Sequence, residues 1–294
     1  MKSLSILASL TILLLLACGG GGGSNDNNQP GGQNPPPLAT VPPFQLENTN
    51  TLLAALDTRV NGLNIDDFFE ESYGVLVERI PEAIIGDGAL GFYPNLSLDL
   101  NNISDDYYFQ TVALKQRILD NLLGFNRANM TQAQQLSYDI YQSYLEFEIE
   151  AADYKAFEFP ASYGFFGWPG ATEQFFTQVM QVTSKADADN YLALLNQVER
   201  RFNQIETLLD NRQADGVIEP SPTLNFSKGA VDSIANASAT STSYYTAFST
   251  MIASLSSISS DERIALLEVA QQTINERVLP AYRSLSTKMA SLLN

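Results

Sequence analysis

Helix-start signals followed by apolar stripes recur from about residue 50 almost to the last residue, and this pattern constrains the fold more than any other feature of the chain. Ser104 precedes Asp105 and Asp106 and an apolar set at Val112, Leu114, Ile118, Leu119 and Leu122, which predicts a helix over about 105–124. Thr131 and Gln134 make a capping box for a helix over about 132–156. Ser184 and Asp187 open a stretch that reaches about 213, striped by Leu192, Leu195, Val198, Phe202, Ile205 and Leu209. Ser259 and Glu262 open the last one, which carries Ile264, Leu267, Ile274, Val278, Tyr282, Leu285 and Met289. Pro280 is expected to kink or break it. An earlier helix starts at Leu63 to Phe69 with acids in its first turn, where they complement the helix dipole, and Pro81 stops it. Strand-like alternation is confined to residues 95–100, where Leu96, Leu98 and Leu100 share a face. The pattern predicts an all-α, bundle-like lobe of about six to nine helices, with no fixed-period repeat.

The N-terminal residues have a different logic. Lys2 supplies a positive start, Leu4 to Leu16 an apolar run too short to span a bilayer, and Leu15-Leu16-Ala17-Cys18-Gly19 closes it. That closing segment resembles a bacterial lipobox, which implies cleavage before Cys18 and acylation of its thiol and new amino group. Residues 1–17 are then a lipoprotein signal peptide, and multiple acyl chains on Cys18 give stable anchoring. Gly19, rather than aspartate, follows Cys18, the pattern that goes with sorting to the outer membrane rather than the inner one. Residues 18–45, dense in Gly, Asn and Pro, read as a flexible linker that holds the rest roughly 25–30 Å from the bilayer. Residues 46–294 read as the helical domain.

Cys18 is the sole cysteine, so no disulfide forms and the fold stands on packing. Hydrophobic residues at 45% are ample for a core. Sixteen basic against thirty-three acidic residues give a net charge of −17, which repels phosphate backbones and excludes nucleic acid as an expected partner.

The chemistry available is narrow. The chain has no histidine, which removes the commonest general base and zinc ligand and any Ser-His-Asp or Cys-His site. Neither an S-x-x-K nucleophile nor a phosphate-binding or dinucleotide-binding glycine motif is present. No catalytic residue, metal ligand or cofactor is expected. Glu146 and Glu150, one helical turn apart with Glu148 and Asp153 nearby, admit two readings: a carboxylate pair able to do glycosidase-type work or hold a hard cation, or a solvated acidic face. The acids Asp66, Asp67, Glu70 and Glu71 read as a helix start.

The segment 157–176, FEFPASYGFFGWPGATEQFF, crowds aromatics among glycines and prolines. Such a loop either lines a ligand cleft or plugs the core between helices. On the first reading Tyr163, Phe165, Phe166 and Trp168 are the candidate ligand contacts.

The blocks DDFFEESYGVLVERIPE (66–82), LSYDIYQSYLEFE (136–148), ADADNYLALLNQVERRFNQIETLLDNRQADGVIEP (186–220) and VLPAYRSLSTKMASLL (278–293) together resemble the bacterial domain of unknown function family 885. The resemblance covers about residues 60–293 and implies an exported α-helical fold similar to zinc-dependent peptidases. Family members are commonly near twice this length, with a His/Glu metal motif in the C-terminal half. The resemblance therefore implies the N-terminal half only, a helical lobe forming one wall of a peptide cleft, with no family ligand to carry over. Two functions follow as expectations. One is a lipid-anchored, non-catalytic lobe that binds peptide or a partner protein. The other is a truncated or split zinc metallopeptidase-like enzyme whose metal-binding half is missing from this chain.

Overall fold

The computed structural model describes residues 37–93, 96–162 and 167–293. The signal, Cys18 and most of the linker, as well as Tyr163, Phe165 and Phe166, lie outside the described residues. The helices are α1 (Thr49–Val60), α2 (Ile65–Val77), α3 (Pro81–Gly86), α4 (Asp105–Leu123), α5 (Gln132–Glu150), α6 (Trp168–Gln174), α7 (Lys185–Leu195), α8 (Val198–Ala214), α9 (Ser221–Ala235), α10 (Ser243–Ala253), α11 (Ser260–Thr273) and α12 (Leu279–Leu292). Short 3-10 turns join several of them, and no strand occurs among the described residues. The fold is all-α. Leaving out the short α3 and α6, and counting α11 with α12 as one rod, nine long helical rods are described.

The starts fall where local chemistry puts them. The Ser104 hydroxyl accepts from the Tyr107 amide, Ser184 from Asp187, and both Thr131–Gln134 and Ser259–Glu262 close as capping boxes. Two expectations need correction. The stretch from 184 to 213 is two helices, because Asn196 and Gln197 serve partners outside it. Asn196 donates to the Ala39 carbonyl at 2.8 Å, while the Gln197 amide donates to the Leu98 carbonyl and accepts from the Leu100 amide, both at 2.9 Å. The same glutamine stands in for a neighbouring strand beside the alternating segment 96–100, which remains unladdered. The second concerns Pro280, expected to kink or break the last helix, which does not break it. A π-turn over Ile274–Val278 widens the backbone just before it and carries the rod from α11 into α12.

Residues 35–294 form one compact unit with two buried apolar clusters. The smaller joins α1, α2, α4 and α5 around Phe68, Leu114, Ile118 and Leu145. The larger takes in α7 to α12 together with Phe175 and Phe176, around Tyr191, Phe202, Tyr244 and Tyr282. Polar links tie α8 to α3, to the segment before α4 and to α4 itself. Arg201 of α8 pairs with Glu82 of α3, Arg212 of α8 with Asp105 of α4 at 2.9 Å, and Gln204 donates to Asn102 at 2.6 Å. Residues 37–47 run without regular structure, yet Arg200 of α8 donates to the Pro42 carbonyl at 3.2 Å and lies 3.6 Å from the Phe44 ring. The last part of the segment read as linker thus touches the helical domain.

Candidate functional site

A cavity of about 250 Å³ opens among α2, α4, α5 and α6. Helix periodicity aims four residues of α4 at it: Tyr107, Thr111 and Lys115 at successive turns, with Tyr108 beside them. Tyr73, Leu76 and Val77 enter from α2, Arg79 and Ile80 from the link to α3, Tyr144 from α5 and Trp168 from the first position of α6; Lys155 also lines it. Among the described residues no aspartate or glutamate lines this cavity, in a chain whose acids outnumber its bases two to one.

The three cations differ in their state. Lys115 donates to Glu148 at 2.6 Å, and Lys155 pairs with Glu158 while lying 4.3 Å from the Tyr108 ring. Arg79, only 9% exposed, has no ion pair among the described residues. Its Nε donates to Thr111 Oγ1 at 2.7 Å, its Nη2 to the Tyr107 carbonyl and to Gln110 Oε1, both at 3.1 Å, and its guanidinium stacks 3.7 Å from the Tyr107 ring centre. Burial lowers its pKa, an effect that Tyr107 and Glu47 oppose, yet a guanidinium remains charged at neutral pH. The phenols around it stay protonated. Burial raises Tyr107 and Tyr108, the latter with help from Glu158 and Glu148, and burial with Glu148 pushes Tyr144 up to about 12. The site is therefore a set of hydrogen-bond donors on an aromatic wall.

Of the candidate contacts read from the sequence, Trp168 lines this cavity, packs on the larger core and lies 5.4 Å from the Arg201 guanidinium. The rest of the aromatic segment divides. Phe175 and Phe176 are core residues at 4% and 0% exposure, whereas Phe157 is 63% exposed. Glu146 and Glu150 are exposed on α5, Glu146 accepting from Gln142 at 2.7 Å, and neither lines the cavity. Sequence reasoning missed Arg79, Lys115 and Lys155, because an isolated cation carries no motif. A larger groove, about 600 Å³, lies between residues 40–46 and α8, but its arginines are already paired, Arg277 with Glu199 at 2.9 Å and Arg200 with Asp99 at 2.6 Å.

α5 presents a second feature beside the cavity. Tyr138 and Leu145 are buried against its neighbours, while Leu136, Ile140, Tyr144 and Phe147 fall within about 80° of one another on its other side. These four are 61%, 54%, 38% and 68% exposed. Tyr144 belongs both to this stripe and to the cavity wall.

Glu219, 6% exposed, carries a carboxylate with no hydrogen-bond partner on either oxygen among the described residues. Burial raises its pKa from the ordinary 4.5, opposed by the nearby Ser162 hydroxyl. The unfolded chain ionises first, so stability declines as pH rises from about 4.5 through the raised value. Glu219→Gln is expected to stabilise the domain by about 1–2 kcal/mol at pH 7.5 and to change nothing at pH 4, checked by thermal melts at both values.

The residues present do not fit the zinc ion that the family resemblance implies. The chain has no histidine, and no group of three or more His, Cys, Asp or Glu placed to hold a metal occurs among the described residues.

Residues 41–294 match the family described as bacterial protein of unknown function, DUF885. The chain belongs to this family. Among solved structures, this family member is similar to the crystal structure of a candidate lipoprotein from Colwellia psychrerythraea, with a TM-score of 0.66 at 14% identity. The likeness covers 83% of this chain and 41% of that one, so the chain spans less than half the length of the protein whose fold it shares. No curated protein matches it. Among the described residues no helix is long and apolar enough to cross a membrane.

Proposed function

We propose that the chain is an exported lipoprotein, held at the outer membrane through acylated Cys18, whose helical lobe binds a peptide or a partner protein along α5. The observation that carries the binding role is the uncovered side of that helix. A helix apolar on one stripe is satisfied by a single core contact, whereas α5 is apolar on two opposite sides and only one of them is covered among the described residues. The adjoining cavity gives a protruding group of the partner somewhere to go. The lipobox-like residues at 15–19, and the name of the Colwellia psychrerythraea relative, support the anchor.

Intact-mass measurement of the protein purified from envelopes tests the anchor. The expected product begins at Cys18, carries the mass of its acyl chains and stays with membranes, while Cys18→Ser releases the chain to the soluble fraction. An unmodified native product in the soluble fraction would refute anchoring.

A second reading, a split zinc metallopeptidase-like enzyme, is favoured by the 41% coverage of the longer relative. On that reading the α5 face packs against a separately encoded metal-binding half. Zinc-dependent peptide cleavage should then arise only when the two are combined, and cleavage by the purified chain alone would contradict both readings.

A further inference from the structure

Twelve of the fifteen described cations are ion-paired. Arg263 and Arg283 instead donate to carbonyls at helix ends, those of Ile252 and Leu255 and that of Ala235, which suits a cation near a helix C-terminus. Only Arg79 is left as a buried guanidinium without an ion pair among the described residues, Glu47 acting on it through space and not by contact. Burying such a charge with only neutral acceptors in direct contact costs stability, and a site that retains it gains when an anion arrives within hydrogen-bond reach. Its Nη1 has no hydrogen-bond partner among the described residues, and Arg79 lines the cavity. The hydroxyls of Tyr108 and Tyr144 likewise donate to no described residue, and both line the same cavity.

We infer that this cavity binds a small organic carboxylate with an aromatic or aliphatic body, its anionic end on Arg79 and its body against Trp168 and Tyr144. The donors Nη1 and the two phenols match an acceptor-only group, and charge-assisted hydrogen bonds are the stronger kind. The 250 Å³ volume, that of about eight waters, limits the guest to roughly a dozen heavy atoms. The Lys115 and Lys155 charges are neutralised by Glu148 and Glu158, so the wall is selective for a single negative charge. The inference names the chemistry of part of the surface proposed above to bind. A free carboxylate can fill the cavity whether or not a protein docks on α5, so the two stand or fall by separate experiments.

The test is a fluorine NMR titration of 4-fluorophenylacetate into the purified full chain in detergent, with empty micelles as the blank. The amide and acetate are run beside it, the latter by displacement. The carboxylate should bind at least tenfold more tightly than 4-fluorophenylacetamide and than acetate. Arg79→Gln should weaken it at least tenfold, with Arg79→Lys intermediate, and circular dichroism would confirm that each variant is folded. If Arg79→Gln does not fold, the carboxylate-to-amide ratio on the native chain decides alone. Equal binding of carboxylate and amide, equal binding of acetate, no binding of any probe, or an unaffected Arg79→Gln variant would each overturn the inference.

Discussion

Phe176→Ala is expected to destabilise the domain by about 3–5 kcal/mol, read as a lowered urea midpoint. The ring is fully buried and meets Phe175 edge-on at 5.4 Å, Tyr191 at 5.1 Å and Tyr244 at 5.5 Å, so its removal leaves a cavity lined by rings that cannot collapse. Those rings are themselves fixed. The Tyr191 hydroxyl donates to the Tyr244 carbonyl at 3.0 Å, and the Tyr244 and Tyr282 hydroxyls share a hydrogen bond at 2.8 Å. Phe157→Ala, in the same aromatic segment but 63% exposed, should change stability by no more than about 0.5 kcal/mol. Equal effects at the two positions would show that the segment does not divide into a core part and a surface part.

Glu82→Ala should cost a comparable amount, about 3–5 kcal/mol, by a different route. Arg201 is 1% exposed, and its only described hydrogen-bond partners are Glu82 and the Asn101 carbonyl; Nε and Nη1 are sealed without acceptors among the described residues. Glu82 also accepts from the Asn101 amide at 2.8 Å and ties α3 to the segment before α4. Removing it leaves a buried charge without compensation. Replacing both partners by apolar residues, Glu82→Leu with Arg201→Met, should restore most of the loss, because the cost lies in the stranded charge rather than in the missing pair. Chemical denaturation of the single and double variants checks this, and a double variant as unstable as Glu82→Ala would contradict it.

What the sequence made legible was local. Caps at Ser104, Thr131, Ser184 and Ser259 depend on residues three positions away, so the helices they open were readable. The break at Asn196 and Gln197 was not, because their partners Ala39, Leu98 and Leu100 are about a hundred residues or more distant in the chain. Trp168 stood out as the single tryptophan in a Gly/Pro-bent stretch and proves to line the cavity. Arg79 carried no signal, since what marks it is the lack of an acid partner in three dimensions. The apolar residues on both sides of α5 are visible in LSYDIYQSYLEFE, but only the packing shows which side is covered. Without histidine or a cysteine pair the chain carries no spacing motif, and its candidate site is built from the aromatics and single cations that sequence patterns describe least.

The measurement that bears most directly on the proposed role is photo-crosslinking from α5. A photoreactive phenylalanine analogue is placed at Phe147 of the full chain in intact envelopes, with the exposed Ser256 as the control position. The account predicts an adduct from position 147 that is absent from 256, that maps to an apolar segment of the captured chain, and that disappears when Ile140→Asp is introduced. No adduct at 147, or adducts of equal yield at 147 and 256 that persist with Ile140→Asp, would contradict the claim that α5 is a binding face.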